Sequence, residues 1–163
     1  DLAAHRLDFV LSTSALTASS GFRAFSHLLG ECEISFFAPP RLAARLRRGF
    51  PGSLDQVPFL LPTERSPNRR VLENWFLENG ITPKVVGEFD DSGLLKTFGQ
   101  GGLGVFAAPS AIGEEVVRQY KMRIVGKAGS ARAKFYALSM ERTIRHPAVM
   151  QIVAGARGTL FSD

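Results

Sequence analysis

Four residues with hydrogen-bonding side chains stand together at Thr63-Glu64-Arg65-Ser66, directly after the apolar run 59–62. The run is predicted to be a strand and a helix is predicted to begin at Ser66, so the four residues form the turn between them. Backbone N–H groups at such a turn are free to bind anions or polar ligand atoms, and the side chains add donors. Simple capping of the helix by Ser66 explains the same pattern, and the two roles are compatible.

Three carboxylates lie close together at Glu88, Asp90 and Asp91. Carboxylate oxygens are the ligands of hard cations such as Na⁺ or Ca²⁺, so the three are weak candidates for a metal site. One capping aspartate with two solvated neighbours accounts for the same residues. The second interpretation is favoured, because Asp91 or Ser92 precedes a predicted helix.

Two other patterns are typical of enzymes but lack the context they need. The segment GQGGLG at 99–104 matches a dinucleotide-binding pattern, yet here a helix is expected before it and a strand after it, the reverse of the required order. A tight helix-to-strand turn is the better explanation. The histidines His5, His27 and His146 have no ligand-like spacing, and no nucleophile elbow is present. We therefore expect neither an enzyme nor a bound cofactor.

The composition is that of a soluble globular chain, with 163 residues, 45% hydrophobic residues and a net charge of +5. No apolar run is long enough to cross a membrane. The lone Cys32 fits a reducing compartment, and we expect a cytoplasmic protein. Arg41, Arg45 and Arg48 fall on one helix face, where a solvated surface is favoured over a nucleic-acid contact.

Strand and helix signals alternate through residues 59–109. They predict a βαβαβ unit with parallel strands, whose carboxyl ends share one edge where ligands bind. Outside this unit, the sequence predicts strands at 7–12, 34–38, 123–126 and 134–140, and a terminal helix beginning at 146–147.

The order of these elements predicts two lobes. Residues 38–124 form one continuous lobe, and residues 1–37 together with 125–163 form the other. Two crossings between lobes make a hinge, which is typical of a device that closes on a ligand. Because both strand ends carry hydroxyl-rich turns, we expect Ser12 and Thr13 to face the 63–66 turn across the cleft.

Long segments of the chain resemble the effector-binding domain of LysR-type transcriptional regulators. The segments LDFVLS, GECEISFF, LENWF, GEFDDSGLLKTFG, GQGGLGVFAAPSAIGEEVV and ERTIRHPAVMQI carry the resemblance, which covers almost the whole chain. It implies a type II periplasmic-binding-protein-like α/β fold of two subdomains with a hinge. The first subdomain is incomplete here, because its opening strand and helix are missing. Ligand contacts are implied at Ser12 and Thr13 and at Thr63 through Ser66.

The resemblance also implies what the longer protein does. The chain begins at Asp1 without Met, and we expect it to be a piece of a longer regulator that binds DNA through an absent N-terminal domain. The family implies a homo-oligomer without a membrane partner. One subgroup, which activates sodium/proton antiporter genes, resembles the chain most and implies a response to Na⁺ or Li⁺. The rival interpretations are an exported solute-binding protein of the same fold and, less favoured, a small α/β enzyme.

Overall fold

The computed structural model describes residues 7–16, 24–142 and 147–159. The strands are β1 (Phe9–Ser12), β2 (Phe25–Ala38), β3 (Pro58–Pro62), β4 (Lys84–Phe89), β5 (Val105–Pro109) and β6 (Arg123–Ser139). The α-helices are α1 (Pro40–Leu46), α2 (Pro67–Glu78), α3 (Ser92–Gln100), α4 (Gly113–Gln119) and α5 (Pro147–Thr159), with short 3₁₀ turns at Arg47–Gly49, Gly52–Leu54 and Ser110–Ile112. The predicted terminal helix is confirmed, whereas His5 and His146 lie outside the described residues.

The chain divides into two compact units. The first combines residues 1–32 with 134–163, and the second is the continuous segment 33–133. The long strands β2 and β6 contribute residues to both units, so the chain passes from one unit to the other inside these two strands. No described helix is long and apolar enough to cross a membrane.

In the first unit, β1 runs antiparallel to the end of β6. Phe9 lies opposite Ser139 and Ser12 lies opposite Tyr136, so the predicted strand at 134–140 pairs with the predicted strand at 7–12. β1 is only partly buried, and Leu11 on it is 58% exposed. His27 on β2 lies with its Nε2 3.0 Å from Ser139 Oγ, which is a structural role for this histidine.

In the second unit, the hydrogen-bonded strand order is β2-β5-β3-β4, with β6 on the other side of β2. β3 is parallel to both β4 and β5, and β2 is antiparallel to β5. The predicted βαβαβ unit is therefore confirmed over β3, α2, β4, α3 and β5. Val86 is an extra residue in β4, because Val85 pairs with Phe59 while Gly87 pairs with the next residue, Leu60. This β-bulge resets which face each later residue of β4 points to.

Alternation along the strands gives this sheet two apolar faces. One face packs against α2, where the Phe36 and Trp75 rings lie 4.8 Å apart and the Phe59 and Phe76 rings 5.2 Å apart. The opposite face packs against α3 and α4 in a second cluster. Its buried members are Phe37, Leu60, Leu95, Phe106, Ala108, Val116 and Met122. Both faces of β3 are covered, as the near-continuous apolar character of 59–62 requires, whereas Val85 and Val86 of the edge strand β4 are exposed.

The glycine segment at 99–104 is a helix-to-strand turn, as predicted, and not a nucleotide fingerprint. α3 ends within it and β5 follows. Gly102 has a φ of +86°, a conformation that residues with a Cβ rarely adopt. A Cβ at Gly104 would lie 2.6 Å from the carbonyl oxygen of Pro58, so the close approach of two backbones requires glycine there.

The long strands were underestimated from the sequence. β6 continues without interruption from Arg123 to Ser139, although strands were expected only at 123–126 and 134–140. The buried residues in its middle are Ala128, Ala131 and Ala133, and Gly129, with a φ of +59°, breaks the alternation between the first two. Alanine gives a weak hydrophobic signal, which explains the gap in the prediction.

Candidate functional site

The candidate site lies at the edge of the second unit where the parallel strands end. Pro62 at the end of β3 pairs with Phe89 at the end of β4. On the other side of β3, β5 ends at Pro109, which pairs with Ile34 of β2. The turns that follow these strands therefore meet at one edge, as ligand-binding turns do in open α/β sheets.

Thr63 ties the turn after β3 to the turn after β4. Its backbone N–H donates to Phe89 O at 3.0 Å, and its hydroxyl donates to Asp90 Oδ1 at 2.5 Å. The sequence presented Thr63 and Asp90 as members of alternative sites, one for polar ligands and one for cations. The structure joins them in one hydrogen bond, so the two hypotheses concern the same place.

The turn itself is closed by backbone contacts. Ser66 N donates to Thr63 O at 2.9 Å, and Arg69 N donates to Ser66 O at 3.0 Å. Ser66 stands at the N-cap of α2, but its hydroxyl makes no capping bond. The predicted side-chain capping by Ser66 is therefore wrong, and the Arg69 N–H, one of the two donors that a capping hydroxyl can take, is bonded to the Ser66 carbonyl instead. The Ser66 hydroxyl is half-buried and free for another partner, and Glu64 and Arg65 are exposed.

Arg69 is the residue that sequence reasoning missed. Its side chain is almost buried and donates to Pro62 O at 2.9 Å, Glu88 Oε1 at 2.7 Å and Glu73 Oε1 at 2.6 Å. Burial acts to lower the pKa of Arg69, but the hydrogen bonds and charges of Glu88 and Glu73 outweigh it and the pKa is raised. Arg69 lies three residues before Leu72 and seven before Phe76, which puts it on the buried apolar face of α2. A charged residue at that position of the helical pattern was the signal that could have identified it.

Arg69 holds both ends of the 63–66 turn. Its guanidinium binds the carbonyl of Pro62, where the turn begins, and its backbone N–H binds the carbonyl of Ser66, where the turn ends. Glu88 in turn fixes the guanidinium from β4. The position of the candidate site therefore depends on one arginine beneath it.

The three carboxylates of the acidic cluster each have a separate partner. Glu88 binds Arg69, Asp90 accepts the Thr63 hydroxyl, and Asp91 accepts Leu94 N at 2.7 Å as the N-cap of α3. Capping by Asp91 was one of the predicted roles and is confirmed. Within the described ranges, no group of three or more His, Cys, Asp or Glu side chains is arranged to hold a metal ion.

Lys96 is the partly buried cation of α3. Burial lowers the pKa of its ammonium group, and the charge of Asp91 opposes that shift. Its Nζ lies 6.0 Å from the centre of the Tyr120 ring, a distance at which a cation and an aromatic face attract each other weakly.

Ser12 and Thr13 belong to the first unit, whereas Thr63 through Ser66 belong to the second. The Ser12 hydroxyl donates to Ser14 O at 2.9 Å and accepts from Ser14 N at 3.0 Å, which closes a local turn after β1. Thr13 is exposed. Their position opposite the 63–66 turn stays a prediction.

Polar turns gathered at the ends of parallel strands define a small-molecule binding domain of the α/β class. The family described as "LysR substrate binding domain" matches residues 1–159, and the chain belongs to this family. The family and the α/β fold class predicted from the sequence are confirmed.

The relatives agree with this assignment. The chain is 32% identical to "Transcriptional activator protein NhaR" of Escherichia coli (strain K12) over 164 residues, covering 99% of this chain and 52% of NhaR. It therefore spans about half the length of the curated relatives it matches. Among solved structures, the cofactor-binding domain of the Cbl transcriptional regulator shares the fold with a TM-score of 0.70 and 15% sequence identity, covering 99% of this chain and 75% of that one. The effector domain of AmpR from Pseudomonas aeruginosa shares it with a TM-score of 0.69 and 18% identity, covering 98% of this chain and 75% of that one.

Proposed function

We propose that this chain is the effector-sensing domain of an NhaR-like transcriptional activator in the cytoplasm, without enzymatic activity. In the full-length homo-oligomeric regulator, a separate domain binds DNA and the effector shifts the equilibrium between two arrangements. The family match favours this function over an exported solute-binding protein or an enzyme. The family match over residues 1–159 carries the proposal, and the two turns joined by the Thr63–Asp90 hydrogen bond give the proposed site its place at the strand edge.

The proposed effector is a small polar molecule that carries both acceptor and donor groups. The Ser66 hydroxyl has no capping bond to give up, and Arg65 is exposed beside it, so both can donate to acceptor atoms of the effector. Asp90 places a carboxylate at the same edge and favours a donor group there. Ser12 and Thr13 are included as proposed contacts from the first unit.

The two units are proposed to be the two regulatory subdomains of the family. The sequence places their limits at 1–37 with 125–163 and at 38–124, whereas the compact units are 1–32 with 134–163 and 33–133. In both divisions, the first boundary between the subdomains falls inside β2 and the second falls inside β6. Under this assignment Thr63 through Ser66 and Asp90 belong to the second subdomain, and Ser12 and Thr13 belong to the first.

A direct response to Na⁺ or Li⁺ is the second candidate function, and the likeness to NhaR is its motive. Asp90 would be the sensing carboxylate, since its partner is the neutral Thr63 hydroxyl, whereas Glu88 is paired with Arg69 and Asp91 caps α3. Asp90→Asn tests it cleanly, because the amide oxygen still accepts the Thr63 hydroxyl while the charge is lost.

The experiment compares variants of the full-length regulator for activation of a reporter promoter, with NaCl or KCl added at equal ionic strength. Ser66→Ala should unfold like the wild type, since no capping bond is lost, yet blunt activation by about tenfold, as one lost ligand hydrogen bond does. Ser130→Ala, an exposed serine on β6, is the matched control and should activate normally. If Ser66→Ala and Thr63→Val activate normally while Asp90→Asn abolishes the Na⁺ response, the cation hypothesis replaces this one.

A further inference from the structure

Ser35 on β2 has a buried hydroxyl without a partner. The residue is 1% exposed, and in the described part of the chain its Oγ is the one buried side-chain oxygen or nitrogen that makes no hydrogen bond. Burying a hydroxyl without a hydrogen bond destabilises the folded state, and native proteins rarely do so. The group therefore needs an explanation beyond packing.

The register places Ser35 one row inside the edge that carries the candidate site. Ser35 pairs with Ala108, and the next pair, Ile34 with Pro109, is at the edge itself. β3 pairs with β5 at Phe59–Val105 and at Leu60–Phe106, so Pro62 and Ala108 each lie two residues beyond the last of these pairs, toward the same edge. Pro62 is the residue immediately before Thr63.

The side chain of Ser35 also points to a defined face. It lies on the same face as its partner Ala108, which belongs to the cluster packed against α3 and α4. α3 begins at this edge with its N-cap at Asp91, so the Ser35 hydroxyl lies on the side of the sheet where the first turn of α3 begins.

We propose that Ser35 is a contact of the effector site and that its hydroxyl is paired only when the effector is bound. This inference rests on the function proposed above and narrows the effector to an elongated polar molecule. Ser35 and Thr63 are two strand spacings apart, about 10 Å, and alternation puts their side chains on opposite faces of the sheet, so one ligand must pass over the end of β5 to reach both. A bare cation contacts oxygens at about 2.5 Å and cannot bridge the two.

The test uses the full-length regulator and the reporter promoter, so that the cell supplies the effector. Ser35→Ala is compared with wild type and with Ser130→Ala for melting temperature, for DNA binding and for activation. We expect an unchanged or raised melting temperature, since an unpaired hydroxyl is removed. We also expect unchanged DNA binding. Activation should fall by about tenfold, because the loss of one hydrogen bond to the effector lowers the affinity for the effector by about that factor.

Two results would overturn the inference. A lower melting temperature for Ser35→Ala would show that the hydroxyl is already paired, by a structural water, in the free protein. Normal activation by a stable Ser35→Ala protein would show that the effector does not reach it. If Ser66→Ala and Thr63→Val lose activation while Ser35→Ala does not, only this inference fails. If all three activate normally, the proposed site itself is wrong.

Discussion

Arg69→Met should loosen the 63–66 turn without creating a cavity, because methionine keeps much of the aliphatic stem and removes the guanidinium. Three hydrogen bonds are lost, to Pro62 O, Glu88 and Glu73. The side chains of Glu88 and Glu73 are 46% and 51% exposed, so water replaces the arginine and each pair contributes only about 0.5 kcal/mol. The Pro62 carbonyl loses its donor at a cost of about 1 kcal/mol.

The sum is a loss of about 2 kcal/mol in the free energy of unfolding, or about 4–8 °C in melting temperature for a chain of this size. Urea unfolding of the 163-residue chain measures it. Arg70→Met is the matched control, because Arg70 is the exposed neighbour on the same helix. Arg69→Lys should recover part of the loss, since a single ammonium cannot reach all three acceptors. Unfolding energies for Arg69→Met and Arg70→Met within about 0.5 kcal/mol of each other would refute the role assigned to Arg69.

Asp91→Ala should lower stability by about 1 kcal/mol, because α3 loses its N-cap, and thermal unfolding will show whether it does. Gly104→Ala should lower the free energy of unfolding by about 3 kcal/mol, since the new Cβ meets the rigid Pro58 backbone. Gly52→Ala is the control and should be nearly neutral, because the space around Gly52 is open. Equal urea midpoints for the two variants would contradict this. The chain alone should not bind DNA selectively at physiological salt, because a net charge of +5 is modest and no helix-turn-helix pattern is present; a sequence-selective gel shift would disprove it.

The sequence predicted the elements whose ends carry strong local signals. The βαβαβ unit was predictable because Pro67, Asp91 and Gly102 mark helix starts and a turn through their own conformational preferences. β6 was only partly predicted, because the buried residues in its middle are alanines and hydrophobic periodicity is then faint.

The candidate site was predicted in its members but not in its connections. The hydrogen bond between Thr63 and Asp90 depends on Pro62 pairing with Phe89, a long-range register that no local pattern specifies. The lack of a cap at Ser66 and the central place of Arg69 have the same origin, since both depend on which backbone groups are already bonded. Local propensity chooses residues for a turn, and tertiary contacts decide what their side chains do.

The bulge at Val86 limits how the length of β4 can change during evolution. Beyond this extra residue, Glu88 lies on the α2 side of the sheet and reaches Arg69, while Phe89 packs on the opposite side against the cluster around Leu60. Deletion of Val86 would close the bulge and leave Glu88 opposite Leu61 and Phe89 opposite Pro62, whereas one further residue inserted ahead of Glu88 would exchange the two sides and place the carboxylate on the side of the Leu60 cluster. Related chains can therefore lose the bulge residue and keep the Arg69 contact, but one residue more ahead of Glu88 would break the contacts on both faces of the sheet at once unless it too is left out of the pairing.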